Sequence, residues 1–367
     1  MRNHKIHKWI NNLFRILYFL RHGWNKLIGH GLELKTTFSE FHRKMWFDAA
    51  SKLSVDLISY PGGFYKATYE GRSTWIKDYL VEIDSYALLE VARNKPLVSR
   101  ILSEHEIPVP PFHSFKLNNM DSAIKFLISQ NGPCVIKPAL DSAGGKGVTT
   151  DIKSSFDLKR AAIFASAFNP IVMIERSIPG DVYRLLFLNG KLIDVIRRLP
   201  PRVIGDGHST IRKLIKKENK QRIKRSGFSS LKVLVIDFDC KSTLRNAGLS
   251  LSDVPKDGQI INVKSTTNDS GANECESITN IVNDEIVTVC IKAVNILGSN
   301  LAGVDIITTD IESPLQQTGG KIIEINVSPG LHYHYQVRNT ENMVPVAVPI
   351  LRGLLKINKP EVIDYAQ

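Results

Sequence analysis

The sequence predicts an α+β protein in which antiparallel strand pairs alternate with helices. Two short β-branched runs, Val304 to Thr308 and Lys321 to Val327, are separated by a loop that ends in two glycines, which is typical of adjacent antiparallel strands. The dipeptide Asn189-Gly190 predicts a type I′ turn between a second strand pair. Helical patterns at 95–105 and 156–168 lie between the predicted strands.

Composition limits the classes of protein that this chain represents. With 367 residues, 43% of them hydrophobic, and no apolar run long enough to span a bilayer, we expect a soluble or peripheral protein with two or three lobes. The net charge of +12 favours anionic partners, and nucleotides, acidic peptides and lipid headgroups all qualify. The four cysteines form no close pair, which argues against a zinc knuckle and a disulfide framework and favours a reducing compartment.

Residues 1–31 have the pattern of a basic amphipathic helix. No acid occurs before Glu33, and Arg15 breaks the most apolar stretch, which no small-residue cleavage site follows, so we do not predict a signal peptide. Two roles stay open, namely packing on the body or in a homo-oligomer, and attachment to an anionic membrane surface. The apolar residues with helical spacing are Ile10, Leu13, Leu17, Leu20, Trp24 and Leu27.

Residues 32–90 are predicted to form a small N-terminal lobe with short strands around Leu57 and Trp75, and we assign it no chemistry. The lobe ends before Asp84 or Ser85, either of which is suited to cap the helix that follows. The next helix, Lys95 to His105, ends at a proline cluster.

A strand with a lysine inside it leads into a glycine loop. The run CVIKP, Cys134 to Pro138, has a buried-strand pattern, and DSAGGKGV, Asp141 to Val148, follows it directly. Glycines let backbone N–H groups approach phosphate oxygens, and lysine is a point-charge partner for them. The P-loop spacing is missing, so by itself the loop is more typical of a mobile hairpin than of a phosphate lid.

The two C-terminal strands carry polar residues where core residues are expected. Asp305 lies in the first strand, and Glu324 and Asn326, two positions apart in the second, share a face. Oxygen ligands on one side of a sheet are suited to Mg²⁺, which accepts one or two carboxylates completed by water and phosphates. Edge-strand residues facing solvent are the alternative interpretation.

These features, in this order and approximate spacing, resemble the ATP-grasp superfamily. More narrowly, the run RxPxxVxGDGxxTIxxL within 175–215 and the run AGxDIIxxD followed by IIEIN and SPG resemble the ATP-grasp domain of cyanophycin synthetase and of the bifunctional glutathione synthetases. The resemblance covers roughly 92–355. The further domains of those enzymes are not in this sequence, so we expect a stand-alone ligase core.

The resemblance implies two α+β lobes that clasp ATP. It places the ATP-grasp domain at 91–358, with an ATP lobe at 91–170, a C-terminal lobe with the metal site at 171–358, and a tail at 359–367. It implies Mg²⁺, with Mn²⁺ as an alternative, held by Asp305, Glu324 and Asn326. The nucleotide-binding residues that it implies are Lys95, Lys137, Gly144, Gly145, Lys146, Gly147, Glu175, Arg176, Ser177, Ile178 and Asp181.

The resemblance implies Arg184, Arg198, Lys264 and Asn268 as catalytic residues, with guanidinium groups suited to phosphate and carboxylate. The sequence also departs from the family pattern on the acceptor side. Lys264 and His332 stand where the relatives have arginine, and the position expected for the ribose acid is Val182, one residue after Asp181.

The implied reaction transfers the γ-phosphoryl group of ATP to a carboxylate, and an amine then attacks the acyl phosphate. We expect amino-acid or peptide substrates, no nucleic acid, and a cytoplasmic protein for which peripheral membrane contact stays open. His332 or His334 as a base for the amine is one interpretation, and solvated loop residues are the other. A kinase that phosphorylates a small molecule and a non-catalytic nucleotide-binding scaffold are the alternative functions.

Overall fold

A computed structural model describes residues 30–140, 145–224, 233–264 and 275–358. Its helices are α1 (His30–Leu53), α2 (Tyr86–Arg93), α3 (Lys95–Glu104), α4 (Met120–Ser129), α5 (Ser155–Ser166), α6 (Ile211–Lys224), α7 (Phe238–Asn246), α8 (Asp284–Leu297), α9 (Leu315–Thr318), α10 (His332–Tyr335) and α11 (Ala347–Leu354). Its strands are β1 (Asp56–Tyr60), β2 (Phe64–Tyr69), β3 (Arg72–Lys77), β4 (Leu80–Val81), β5 (Phe112–Phe115), β6 (Cys134–Pro138), β7 (Thr149–Ile152), β8 (Val172–Arg176), β9 (Asp181–Leu188), β10 (Lys191–Arg198), β11 (Arg202–Ile204), β12 (Ile260–Asn262), β13 (Cys275–Ser277), β14 (Leu301–Thr308) and β15 (Lys321–Val327).

The strands form four antiparallel sheets. Their orders are β1-β2-β3-β4, β5-β8-β6-β7, β13-β10-β9-β14-β15, and the pair β11-β12. The α+β class and the predicted pairing of the two C-terminal strands are therefore confirmed. Within the described ranges, no helix combines the length and the apolarity needed to cross a membrane.

The N-terminal lobe shares its hydrophobic core with the rest of the protein. Helix α1 buries Trp46 against the inner face of the first sheet, where Tyr65 is also buried, and the same cluster contains Leu186 of β9 and Ile350 of α11. The strands predicted around Leu57 and Trp75 are present as β1 and β3. Helix α1 crosses the predicted boundary between residues 31 and 32, and the first 29 residues of the predicted amphipathic helix lie outside the described residues.

The predicted division at residue 170 comes too early in the chain. The predicted ATP lobe, here called the first lobe, contains the sheet β5-β8-β6-β7 packed with α4 and α5. Because β8 lies between β5 and β6 in that sheet, the chain leaves the first lobe only after Arg176. The reason is the cross-strand register, which pairs Glu175 with Phe112 and Val135. Sequence spacing alone does not reveal such pairing.

The two residues predicted as alternative caps have different roles. Ser85 caps α2, because its Oγ accepts a hydrogen bond from the Leu88 amide at 3.2 Å. The Asp84 carboxylate instead accepts from the amides of Asn300 and Leu301 at 2.7 and 3.1 Å. Asp84 therefore ties the end of the N-terminal lobe to the start of β14.

Helices cover one face of the five-stranded sheet, and the other face carries polar residues. Tyr183, Leu185 and Val304 pack with α3 and α8 on one face, and Arg184 and Asp305 lie on the other by strand alternation. The turn between β9 and β10 is the predicted type I′, since Asn189 and Gly190 have φ angles of 49° and 72°.

A small module is inserted between β10 and β13. It comprises β11, α6, α7 and β12 around a separate core that includes Val203, Ile211, Leu244 and Ile261. The module contacts the first lobe where the Asn246 side chain donates to Asp151 at 2.6 Å, beside the end of β7.

Replacing Trp46 with alanine should lower the free energy of unfolding by about 3 to 5 kcal/mol, because a fully buried indole in the shared core is lost. Urea unfolding followed by far-UV circular dichroism measures the change. The matched control is Phe47→Ala, one residue along the same helix and 36% exposed, which should lower it by less than about 1 kcal/mol. Equal effects of the two variants would contradict a shared core.

Candidate active site

Three charged residues form one row across the polar face of the five-stranded sheet. Cross-strand register places Asp305 of β14 between Arg184 of β9 and Glu324 of β15. Arg184 Nε and Nη2 donate to the two carboxylate oxygens of Asp305 at 2.6 and 2.7 Å. Both side chains are buried, which makes this bidentate pair the base of the site.

The ion pair keeps the Arg184 guanidinium charged despite its burial. Burial lowers the pKa of Arg184, but the charge and hydrogen bonds of Asp305 raise it above its ordinary value. A guanidinium held in this way presents fixed positive charge to the polar face of the sheet at any physiological pH.

A second arginine and an aromatic ring complete the base of the site. Arg198 is 1% exposed, and its Nη1 lies 3.6 Å from Asp305 Oδ2. The Tyr333 ring centroid lies 4.7 Å from the guanidinium carbon of Arg198 and 5.6 Å from that of Arg184. Such cation–π contacts hold a guanidinium in place without neutralising it. Tyr333 is not among the predicted site residues, although it lies between His332 and His334, the two histidines proposed as a base for the amine.

Gly303 lies beside the polar row, on the same face of the sheet, and leaves room for the side chains of the row. A Cβ atom on Gly303 would lie 3.3 Å from Arg184 Cδ and 3.1 Å from Pro329 Cβ, closer than side chains normally approach. Gly303 pairs in register with Asn326, whose Nδ2 lies 3.5 Å from Asp305 Oδ2. The small residue thus lets the arginine and the amide converge on Asp305.

The predicted metal ligands Asp305, Glu324 and Asn326 lie together at this place. Among the residues that the structure describes, no group of three or more His, Cys, Asp or Glu side chains is arranged to hold a metal. The three predicted ligands offer two carboxylates and one amide, oxygen-donor types that suit Mg²⁺ or Mn²⁺. Both Asp305 oxygens accept hydrogen bonds from Arg184, so a metal held here would share Asp305 with that arginine.

Two lysines, one from β6 and one from the start of α3, are the further predicted cations of the site. Lys137 is buried in β6, and its Nζ lies 2.8 and 2.7 Å from the two carboxylate oxygens of Glu175 in β8. Lys95 lies 3.4 Å from Glu324. Because the Lys95 amide donates to the Ala139 carbonyl at 3.2 Å, the start of α3 is fixed beside the end of β6. Lys95 therefore extends the polar row at Glu324, whereas Lys137 is paired within the sheet of β5 to β8.

Two predicted nucleotide-binding segments lie at the end of β8 and in the glycine loop. After β8, the amides of Arg176 and Ser177 donate to the Pro111 and Pro133 carbonyls at 3.0 and 2.9 Å, so these two N–H groups fix the backbone there. The nucleotide contacts of this segment stay a prediction. In the loop, Gly144 lies outside the described residues.

The remaining loop residues differ in exposure. Lys146 is exposed, whereas Gly145 and Gly147 have φ angles of 70° and 75°. A Cβ on Gly147 would come within 2.7 Å of the Phe168 ring. Gly147 is therefore required for both its backbone conformation and the close approach of the loop to the lobe.

Asp181 does not join the polar row. Strand alternation puts it on the face opposite Arg184, where Arg197 Nη2 donates to its carboxylate at 2.5 Å. Its predicted role in binding ATP stays a prediction. Val182, on the same face as Arg184, has no polar group to offer a ribose.

On the predicted acceptor side, Lys264 is buried in the inserted module. Its Nζ donates to Asp237 Oδ2 at 2.8 Å, and Asp237 Oδ1 accepts from the Cys240 amide at the start of α7. The structure therefore places Lys264 with the module and not in the polar row. Asn268 lies outside the described residues.

His334 is an anchor for the turn that carries Tyr333. Its Nδ1 is hydrogen-bonded to Asp194 Oδ2 at 2.7 Å, and both residues are fully buried. Asp194 Oδ1 accepts from Ser277 at 2.9 Å and from Thr279 at 2.5 Å. Full burial and this fixed contact correct both interpretations of His334 from sequence, a base for the amine and a solvated loop residue. His332 is half-buried, 4.0 Å from the Tyr333 ring between centroids.

No protein-family model matches the sequence. The chain is 34% identical over 248 residues to the cyanophycin synthetase of Trichormus variabilis, covering 67% of this chain and 27% of that protein. It is 28% identical over 254 residues to the glutathione biosynthesis bifunctional protein of Clostridium perfringens, covering 68% of this chain and 32% of that protein.

Among solved structures, a bifunctional glutathione synthetase from Pasteurella multocida superimposes with a TM-score of 0.52 at 20% identity, covering 82% of this chain and 41% of that one. This similarity establishes the fold. The chain spans less than a third of the length of the two curated relatives.

Asp194→Asn should destabilise the protein by about 3 kcal/mol at neutral pH, because it leaves His334 buried without its anionic partner. Burial raises the pKa of Asp194, but the hydrogen bond and charge of His334 and the hydroxyls of Thr279 and Ser277 lower it below its ordinary value of 3.8. The stabilisation is therefore complete above the unfolded-state pKa and is lost as the pH falls through the lower folded-state pKa.

Unfolding midpoints measured from neutral to acid pH should show the gap between wild type and Asp194→Asn narrowing below about pH 4. The exposed Asp257→Asn is the matched control and should leave the whole profile unchanged. A gap that is constant across this range would contradict the ionic role of Asp194.

Proposed function

The chain belongs to the ATP-grasp superfamily, and from this premise we propose that it is an ATP-dependent carboxylate–amine ligase. It forms an amide or peptide bond through an acyl phosphate and releases ADP and phosphate. The proposal rests on one observation above all, the Arg184–Asp305–Glu324 row with Lys95 at its end. Cations and carboxylates from three strands and helix α3 meet there, as phosphoryl transfer requires.

The cysteines give no support to covalent catalysis by the protein. All four are buried, and burial raises the pKa of the Cys134 and Cys240 thiols to about 11. A thiol in that state is a poor nucleophile at neutral pH. This supports direct transfer of the phosphoryl group to a substrate carboxylate.

Each charged residue has a proposed role in that transfer. Lys95 and Lys137 hold phosphate oxygens of ATP, and Arg184 and Arg198 orient the substrate carboxylate and the transferring phosphoryl group. Asp305, Glu324 and Asn326 would hold Mg²⁺, or alternatively Mn²⁺, which would neutralise phosphate charge. Because the protein groups are fixed in advance, positioning and charge stabilisation carry the catalysis.

The substrates are amino acids or peptides by analogy with the relatives, whose names denote synthesis of cyanophycin and glutathione. We place the reaction in the cytoplasm, with no nucleic-acid partner. Membrane contact through residues 1–31, a homo-oligomer, and the domain boundaries at 90 and 358 remain predictions. Lys264 and Asn268 remain proposed substrate-side residues.

Two buried lysines offer a matched test of how the site is divided. Lys137 and Lys264 each bond a carboxylate at 2.8 Å, so replacing either with glutamine removes a charge in a similar setting while retaining a donor. Lys137→Gln should raise the KM for ATP and lower kcat, reducing kcat/KM for ATP by about tenfold or more.

Lys264→Gln should leave the KM for ATP unchanged and act on the amine or carboxylate substrate. Steady-state kinetics with each substrate varied in turn separates the two. The same ATP-specific defect in both variants would show that the division is wrong.

The reaction itself is tested by labelling the donor carboxylate with ¹⁸O. Screening ADP release against amino acids, singly and in pairs, first identifies substrates. One labelled oxygen should then appear in the released phosphate, because it bridges carbon and phosphorus in the acyl phosphate and leaves with phosphorus when the amine attacks.

Other labelling patterns would each replace the proposal. Label in AMP, with pyrophosphate as co-product, would mean adenylation of the carboxylate. ADP formed without an amine, and with all label retained in the organic product, would mean a kinase. Nucleotide binding without any turnover across the screen would mean a scaffold.

A further inference from the structure

The outer face of the N-terminal sheet carries an apolar patch that no catalytic role accounts for. Register across β1 to β4 sorts its outward residues into rows. One row runs Ile58, Lys66, Trp75, and the next runs Tyr60, Phe64, Lys77, Leu80. The third row, Asp56, Thr68 and Ser73, is polar and lies at the opposite end of the strands. The patch, named here the outer patch, consists of the first two rows.

The apolar members of the outer patch are strongly exposed. Ile58 is 55% exposed, Phe64 and Trp75 are each 45% exposed, and Tyr60 and Leu80 are 42% and 41% exposed. All of these except Ile58 border a groove of about 600 Å³. Clustered exposure of this kind marks an interaction surface, whereas isolated apolar residues on a surface need no explanation.

Each row also places a lysine among its apolar residues. Lys66 Nζ lies 5.8 Å from the Trp75 ring centroid, and Lys77 Nζ lies 5.1 Å from that of Phe64. The Tyr60 and Trp75 rings lie 5.5 Å apart between centroids. Aromatic rings with lysines held beside them match the boundary between lipid headgroups and acyl chains, where Trp and Tyr are enriched and lysine contacts anionic headgroups.

The opposite face of the same sheet is closed. Tyr65, Ala67 and Ile76 are at most 1% exposed and pack in the core shared with the body. The sheet therefore presents the outer patch rigidly, at the end that carries the Pro61-Gly62-Gly63 turn. Because the third row is polar, an apolar partner would contact only the first two rows.

We propose that the outer patch docks the protein on an anionic membrane surface, with the aromatic rings at the headgroup boundary and Lys66 against the headgroups. Lys77 is paired with Asp78, and Glu82 borders the groove, so Lys66 is the cation that the patch offers to lipid. Charge supports an anionic surface over a neutral partner, since the chain has a net charge of +12. The basic amphipathic pattern of residues 1–29, which precede α1, suits the same surface.

The test uses the full chain and co-sedimentation with vesicles of phosphatidylcholine alone or mixed with phosphatidylglycerol. The wild type should bind the mixed vesicles, and added salt should weaken binding. Phe64→Ser with Trp75→Ser should reduce the partition coefficient at least about tenfold. Lys66→Glu should reduce it by about tenfold on mixed vesicles and have little effect on neutral ones.

The matched control lies on α5. Phe156 is a 65% exposed aromatic residue with Arg160 5.5 Å from its ring centroid, and Lys159 is exposed nearby. Phe156→Ser with Lys159→Glu should bind as the wild type does. Circular dichroism and thermal unfolding confirm that every variant is folded.

Three results would overturn the proposal. The first is that the wild type does not bind mixed vesicles. The second is that the patch variants bind as tightly as the wild type, which would assign binding to residues 1–29 or another surface. In the third, sedimentation velocity without lipid shows a wild-type oligomer that the patch variants lose, which would make the outer patch an interface between copies.

Discussion

The bidentate contact between Arg184 and Asp305 is the constraint on which the rest of the site depends. A carboxylate that is 1% exposed in the middle of a sheet is strongly unfavourable without a fixed cation, and Arg184 on the neighbouring strand supplies one with two hydrogen bonds. Because the strand register fixes the pair, it also fixes Glu324 on the other side. Gly303 and the Tyr333 ring then have the sizes and positions that this arrangement demands.

The lobes are coupled by short, specific contacts around that row. Lys95 belongs to a helix that packs on the five-stranded sheet and starts beside the end of β6, and its ammonium group lies 3.4 Å from Glu324. Asp84 joins the N-terminal lobe to the start of β14. Since these contacts and the shared core connect elements distant in the chain, the charged groups are held before any ligand arrives. Preorganised charge is what phosphoryl transfer requires of a protein.

Buried ionic pairs serve different purposes in different parts of the fold. Asp194 and His334 are fully buried and tie the turn that carries Tyr333 to β10, so their contribution is to position an aromatic ring over two arginines. Lys137 and Glu175 lie in the first lobe, where a ligand phosphate would compete with the carboxylate for the ammonium group. The inserted module repeats the same pairing in Lys264 and Asp237. The proposed ligase thus combines anchoring pairs with exchangeable ones.

The sequence by itself determined the local structure and the inventory of charged groups. β-branched runs, the Asn189-Gly190 turn and the serine caps depend on neighbouring residues, so hairpins and helix starts followed from composition and spacing, and motif order indicated the superfamily. Only the tertiary structure decided which charges meet. Arg184 and Asp305 are 121 residues apart, and Asp181 faces away from the row because of strand alternation in a sheet whose pairing is not local. The tertiary structure also decided that His334 is an anchor and that β8 belongs to the first lobe. Cross-strand register is set by packing between segments distant in the chain.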